Sequence, residues 1–298
     1  MPVNKLPLNK LKTIIKSDYP DFNVKSAKIL KGGWDNSVIE INKSYIFRFP
    51  KHKNFVLDKE IKILKAINGR ITLDIPVYEF IGRKVPYVGY KKIIGQALSL
   101  NTLKSLGVKA RHILARDIAK FFYEFHLALS ISRAGRFGLK KDINAWRPLV
   151  IKKKVIGQLK NKELSDFIEV ILNKYSDLNK QNFNLVVAYN DLSGDNMAFN
   201  RKSGRIKGIF DFSDVAIEDV NREFCSLFSL DQAFTMDVIK RYEKRSGRII
   251  DRERVFINAV ISEASVLGVL IDKPDSKEYK RAFNSLRRLK LAVEQFSK

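Results

Sequence analysis

Tyr189-Asn190-Asp191-Leu192-Ser193-Gly194-Asp195-Asn196, followed at a distance by Asp211-Phe212-Ser213, is the stretch on which the reading of this chain turns. Phosphoryl transfer from a nucleotide asks for positioning and charge more than covalent help: one carboxylate for the acceptor hydroxyl, and an amide with a second carboxylate for magnesium. Asp191, Asn196 and Asp211 supply that set in that order. The apolar run Leu185-Val186-Val187-Ala188 reads as a short buried strand with Asp191 on the turn beyond it, and Gly194 permits that turn to be tight. Arg205 to Phe210 reads as a second short strand that brings Asp211 beside Asn196, so the expected geometry is a hairpin with metal ligands at its mouth. Asp and Asn are also ordinary turn residues. The weight therefore comes from the partner carboxylate and from N-terminal features that agree in order and spacing.

These residues resemble the H-x-D-x-x-x-x-N catalytic loop and the D-F-G-like metal motif of the aminoglycoside phosphotransferases, a family with the protein-kinase-like fold. Asn190, Ser193, Asp214, Asp219 and Glu223 are similar to the 2''-phosphotransferase branch, and the resemblance runs from about residue 28 to the end. Tyr189 departs from the usual His, Ser213 from a common Gly, and Val220 from a frequent Pro. Tyr189 and Ser213 fall on scaffolding positions, which puts turn geometry in question more than the chemistry.

The resemblance implies an α+β bilobal fold. Residues 1–92 would form a nucleotide-binding lobe with a small antiparallel sheet, and residues 93–298 a mainly helical catalytic and acceptor-binding lobe. It implies Mg2+ and ATP or GTP as phosphate donor, with Asp191 orienting the acceptor hydroxyl and Asn196 and Asp211 as metal ligands. Arg48 stands where kinases carry the strand-borne Lys that holds the α- and β-phosphates, and Glu60 on the following helix is its natural partner. Tyr90, Lys92 and Ile93 would line the purine, and the bulk of Tyr90 resembles GTP-using members. Asp231 and Glu263 are candidates for contacting acceptor amines, with exposed-helix charge as the alternative reading.

The rest of the chain fits that plan. Ser26–Leu30, Ser37–Ile41, Tyr45–Phe49, Val77–Phe80 and Tyr87–Tyr90 read as strands. Residues 54–67 read as a helix with an apolar stripe through Phe55, Leu57, Ile61, Leu64 and Ile67. The expectation is a small sheet carrying one helix. In the turn Lys31-Gly32-Gly33-Trp34-Asp35-Asn36-Ser37, backbone N–H groups at Gly33 can approach a phosphate and Asn36 or Ser37 can donate to it, though a plain hairpin turn has the same composition. Residues 110–130, 162–175, 234–245, 251–271 and 276–296 read as helices, and the pattern change near residues 90–96, at Gly89 and Gly95, marks a hinge.

Composition bounds the alternatives. With 298 residues, 45% hydrophobic and 30% charged, the chain reads as a globular protein with a substantial core. A single Cys225 excludes an intramolecular disulfide. The start has no apolar region of the signal-peptide type and no run is long enough to span a membrane, so cytoplasmic residence is expected. His52 and His112 have no metal-ligand spacing to Cys225, so no zinc site is expected; His126, on an apolar helix, reads as structural. Trp34 and Trp146 read as packing residues.

A net charge of +24 invites a nucleic-acid reading, yet the lysines are scattered, without a basic block or an RNA-binding aromatic signature. Residues 210–239 reverse the sign, with seven acids against Arg222 alone. That reads as a negative pocket suited to magnesium and a cationic acceptor such as an aminoglycoside, or as a solvated acidic helix face. A macrolide or a choline-like amino alcohol would use the same catalytic parts, and a non-catalytic kinase-like binding protein is the rival from another class.

Overall fold

A computed structural model describes residues 7–30, 36–51, 57–141, 148–178 and 183–296, with side chains to residue 292. Gly33, Trp34, His52, Phe55 and Trp146 lie outside the described residues. The chain begins with α1 (Leu8–Asp18), then β1 (Ala27–Leu30), β2 (Asn36–Ile41), β3 (Tyr45–Pro50), α2 (Leu57–Ile67), β4 (Tyr78–Ile81) and β5 (Val88–Lys91). The five strands form one antiparallel sheet in the order β1-β2-β3-β5-β4.

Strand alternation decides which side chains face the core and which face a cleft. Along β3, Phe47 and Phe49 join Ile39, Ile41 and Tyr87 in a core against Leu11 and Ile15 of α1. The intervening Ile46 and Arg48 therefore point to the opposite face, where they line a cleft. The sheet carries α1 as well as α2, which corrects the expectation of one helix. Helix α1 lacks the usual start signals: Pro7 precedes it without a side-chain cap and its first turn has no acid. Its apolar spacing was the available clue.

The second lobe contains α3 (Leu100–Ser105), α4 (Val108–Ala128), α5 (Ile131–Arg136), α6 (Pro148–Ile151), α7 (Lys162–Leu178), β6 (Leu185–Ala188), β7 (Met197–Asn200), β8 (Arg205–Ile209), β9 (Ala216–Asp219), α8 (Cys225–Leu230), α9 (Gln232–Ser246), α10 (Arg252–Leu270) and α11 (Lys277–Phe296). Helix α10 packs against α7, α8 and α11, and α4 packs against α9. Phe121, Phe122 and Phe125 of α4 are fully buried, and Phe121 and Phe125 pack edge-on against Tyr189. Ile63, Leu64 and Ile67 of α2 join this second core, so α2 ties the lobes together.

The strand pairing differs from the sequence expectation. Strand β8 forms its hairpin with β7, and β6 pairs with β9. Asn196 and Asp211 still flank the hairpin mouth, because Phe210 N donates to Asn196 O at 3.1 Å. The hinge expectation is also modified. Gln96 and Phe199 exchange backbone hydrogen bonds of 2.9 and 2.8 Å, and a Cβ on Gly95 would lie 2.5 Å from the Ala198 carbonyl carbon. Gly95 thus permits close docking of the linker on β7.

Candidate active site

The loop that carries Asp191 is built on a buried carboxylate. Glu223 is fully buried; its oxygens accept from Tyr189 N at 2.9 and 3.1 Å, and Oε1 accepts from Asn190 N at 3.2 Å. His126 Nε2 lies 3.0 Å from Glu223 Oε2 and its Nδ1 lies 2.8 Å from Tyr242 Oη, which gives His126 a bracing role. Tyr189 donates from Oη to Phe210 O at 2.6 Å, coupling the catalytic loop to the segment that carries Asp211. Asn190 sits at φ 71°, a left-handed conformation that Asn tolerates. Asp191 then leaves the strand end with its direction set by its neighbours. Glu223→Gln, which keeps the size but places an amide where donors converge, is expected to cost about 1–3 kcal/mol in denaturant melts. It should also lower kcat in a steady-state assay.

Gly194 has a different purpose from the one its sequence context suggested. Its φ is not left-handed, but a Cβ there would fall 1.9 Å from Leu98 O, and Leu98 N donates to Gly194 O at 2.9 Å. The linker after the sheet is packed directly on the loop that carries Asp191 and Asn196.

Asp191 is pushed up to about 7, first by burial and then by the charges of Asp214 and Asp211, with the Asn196 hydrogen bond and Arg281 opposing. Asn196 Nδ2 donates to Asp191 O at 2.9 Å and to Asp191 Oδ2 at 2.7 Å. Asp211 sits at φ 68°, and its Oδ1 accepts from Ser213 Oγ at 2.8 Å and from Arg48 Nη2 at 2.9 Å. Ser213 therefore supports the carboxylate directly. Arg48 Nη1 donates to Glu60 Oε1 at 2.7 Å, and the same oxygen accepts from Phe212 N at 3.2 Å. Glu60 is 1% exposed, so this chain of contacts joins α2, β3 and the Asp211 segment through the interior.

The cleft beside these residues has a volume of about 250 Å³. It brings together Arg48, Tyr90, Lys92, Ile93, Asn196 and Asp211 over an apolar lining that includes Val38, Met197 and Phe210. Lys92 Nζ is bonded to Glu40, which also takes Lys28 at 3.1 Å; the two lysines, Lys92 first, hold the Glu40 carboxyl below its usual range. Asn36 and Ser37 open β2 opposite Pro50 and Phe49 and are not part of this lining. The Met197 and Phe210 floor was missed in sequence: Phe210 read as an ordinary strand position and the strand that begins at Met197 was not foreseen.

The donor set fits a magnesium ion. Asn196 uses its amide nitrogen on Asp191, which leaves Oδ1, and Asp211 takes both protein donors on Oδ1, which leaves Oδ2. One amide and one carboxylate oxygen suit a cation that keeps waters and phosphate oxygens in its shell. Among the described residues no group of three His, Cys, Asp or Glu side chains is placed to hold a metal.

Most acids of residues 210–239 meet basic side chains. Asp211 meets Arg48, Asp219 meets Arg254, Glu223 meets His126, Asp231 meets Arg111, and Asp237 meets His112 and Arg241. Glu218 is bonded to Arg222 within the stretch. Asp211 and Asp214 still place negative charge beside Asp191. Asp231 also caps α9, accepting from Phe234 N at 2.8 Å, and Glu263 lies buried on α10 beside Arg281 at 3.4 Å. No helix among the described residues is long and apolar enough to cross a membrane.

Several solved structures share this architecture. Aminoglycoside 2'-phosphotransferase-IIIa, as a variant in complex with GDP, superposes with a TM-score of 0.83 at 25% identity, covering 96% of this chain and 98% of that one. The gentamicin complex of APH(2")-IIa gives 0.70 at 19% identity, covering 95% and 96%. Macrolide 2'-phosphotransferase type I gives 0.67 at 14% identity, covering 94% and 98%, which shows the fold alone. The profile of the family described as "Phosphotransferase enzyme family" (APH) matches residues 26–256. With its kinase-like fold, five-stranded first lobe and helical second lobe, the chain belongs to the APH phosphotransferase family.

Proposed function

We propose that this protein transfers the γ-phosphate of ATP or GTP, with Mg2+, to a hydroxyl of a small-molecule acceptor. The observation that carries the reading is the contact of Asp191 with Asn196 at 2.7 Å, beside an Asp211 already oriented by Arg48 and Ser213. Asp191 receives the acceptor proton as the new bond forms, and its elevated proton affinity suits that task. Arg48 neutralises charge at the donor phosphates, held in place by Glu60. Asn196 and Asp211 would hold the metal, which would supply positive charge to offset that of the donor phosphates. Tyr90, Lys92 and Ile93 border the purine.

An aminoglycoside is the first acceptor class to test, because kanamycin and gentamicin are named in complexes of similar proteins. The pairing of most acids in residues 210–239 with bases favours a second reading, a hydroxylated metabolite that is not a polycation. The test is magnesium-dependent release of ADP or GDP with a panel of aminoglycosides, macrolides and small alcohols. Acceptor stimulation that vanishes on removing magnesium supports the assignment. Nucleotide turnover indifferent to metal and to every acceptor would remove it.

A further inference from the structure

Basic side chains that lie far apart in sequence are gathered where α4 packs on α9. Lys109, His112 and Arg116 recur at intervals of three and four residues, which puts them on one face of α4. Arg241 reaches the same place from α9, where its Nη2 lies 3.2 Å from His112 Nδ1. With Val108 and Ile113 these four line an open groove of about 480 Å³ that shares no residue with the cleft beside Asp211. The two helices are pinned to each other at two further points, so the groove is preformed. Arg111 bonds the α9 cap Asp231 at 3.3 Å and lies over the Phe234 ring, and His126 Nδ1 lies 2.8 Å from Tyr242 Oη.

No acid lines the groove. Asp237 offsets part of its charge, meeting His112 at 2.8 Å and Arg241 at 2.9 Å. Arg116 approaches only Asp117, at 3.9 Å, and that carboxylate is already engaged by Arg205 at 2.5 and 3.1 Å. Lys109 is exposed and has no acidic partner among the described residues. From Lys109 to Arg116 the row of cations runs over roughly 10 Å of helix, at about 1.5 Å per residue. A row of that length suits a linear polyanion whose charges repeat, and the net +24 of the chain adds attraction at long range. Beside the cations Val108, 73% exposed, and Ile113 offer an apolar strip. Base and sugar faces can lie on such a strip in a single strand, whereas a duplex hides its base faces. The lining holds no aromatic platform, so contact through the backbone carries the affinity.

We propose that the α4–α9 groove binds single-stranded nucleic acid through its phosphodiester backbone, without sequence preference. Lys109 and Arg116 contact phosphates, and Val108 and Ile113 take the base and sugar faces between them. The expectation against nucleic acid rested on the absence of a basic block along the chain; the fold assembles one in space. The inference stands apart from the phosphotransferase reading, since no groove residue has a part in that chemistry.

The test is fluorescence polarisation of a labelled oligouridine with the full chain, titrated over a series of salt concentrations. Lys109→Gln with Arg116→Gln should weaken binding by about tenfold or more at low salt. The slope of log affinity against log salt should flatten by about 1.4, since each phosphate contact on a single strand contributes about 0.7. Val108→Glu, at an exposed position, should also weaken binding. Lys109→Arg with Arg116→Lys keeps the charge and should bind as the wild type does. Lys10→Gln with Lys16→Gln removes two exposed charges from α1 and should have little effect. Absence of oligouridine binding by the wild type, or equal affinity in wild type and the groove Gln pair, overturns the proposal. Equal losses in the groove and α1 Gln pairs also overturn it, because they report net charge alone, as does a loss in the charge-preserving pair, which reports a packing defect. Tighter binding of a duplex of the same length, of a poly-glutamate peptide or of phosphatidylserine vesicles than of oligouridine overturns the assignment to a single strand.

Discussion

Asp191→Asn is expected to lower kcat by roughly 10²- to 10⁴-fold, the range for removing a positioned general base, and at the same time to stabilise the protein above neutral pH. Both effects have one cause. Burial, with the charges of Asp214 and Asp211, raises Asp191 to about 7 from an ordinary value of 3.8. Between those values the folded protein keeps a proton that the unfolded chain has lost, so stability falls as pH rises through that window. Above about 7 the full cost of the buried charge is present. Asn cannot ionise and escapes it, by at most about 4 kcal/mol for a shift of about three pH units. Denaturant melts of both proteins from pH 5 to pH 8 should diverge with rising pH. The pH profile of wild-type kcat/KM should climb towards a plateau above about 7, as the carboxylate becomes able to accept the hydroxyl proton. An Asp191→Asn enzyme within a few-fold of wild-type turnover, or stability curves that stay parallel, would remove Asp191 from its role.

The second large effect lies at Arg48. Arg48→Ala should cost about 3–5 kcal/mol in urea melts, because it leaves the Glu60 carboxylate buried without its cation. Arg48 is 4% exposed and Glu60 1% exposed, so water cannot replace the partner without opening the lobe interface. Nucleotide affinity should fall with it, since Asp211 loses the 2.9 Å contact that orients it. The double variant Arg48→Met with Glu60→Leu separates the two consequences. Removing both charges should recover most of the stability and none of the phosphoryl transfer. Recovery of activity along with stability would show that Arg48 acts only as a structural cation.

That Asp191, Asn196 and Asp211 come together was legible in sequence because their geometry is local. Asp191 and Asn196 belong to one loop, and Asp211 follows a strand whose hairpin partner begins right after Asn196. Arg48 was singled out by its resemblance to the strand-borne Lys of kinases, and the period of two of β3 turns it away from Phe47 and Phe49 in the core. The work of Glu223 was not legible. A glutamate among Val220, Phe224 and Cys225 signals that something must satisfy it, but the backbone amides of Tyr189 and Asn190 that do so lie far away in sequence. The pairing of β6 with β9 was hidden for the same reason, as several ladders satisfy a short apolar strand equally well.

By itself the sequence determined the identity and order of the chemistry-bearing groups, the alternation that aims Arg48 and the apolar stripes of the long helices, all of which follow from local periodicity and loop spacing. Only the tertiary structure decided the electrostatics. Much of the charge excess of residues 210–239 is offset by Arg48, Arg111 and Arg254 from other elements and by Arg241 on α9 itself, and Asp191 acquires its proton affinity from burial and from the charges of Asp214 and Asp211. Coulomb interactions and desolvation depend on distance through space and on exclusion of water, and neither is set by proximity along the chain.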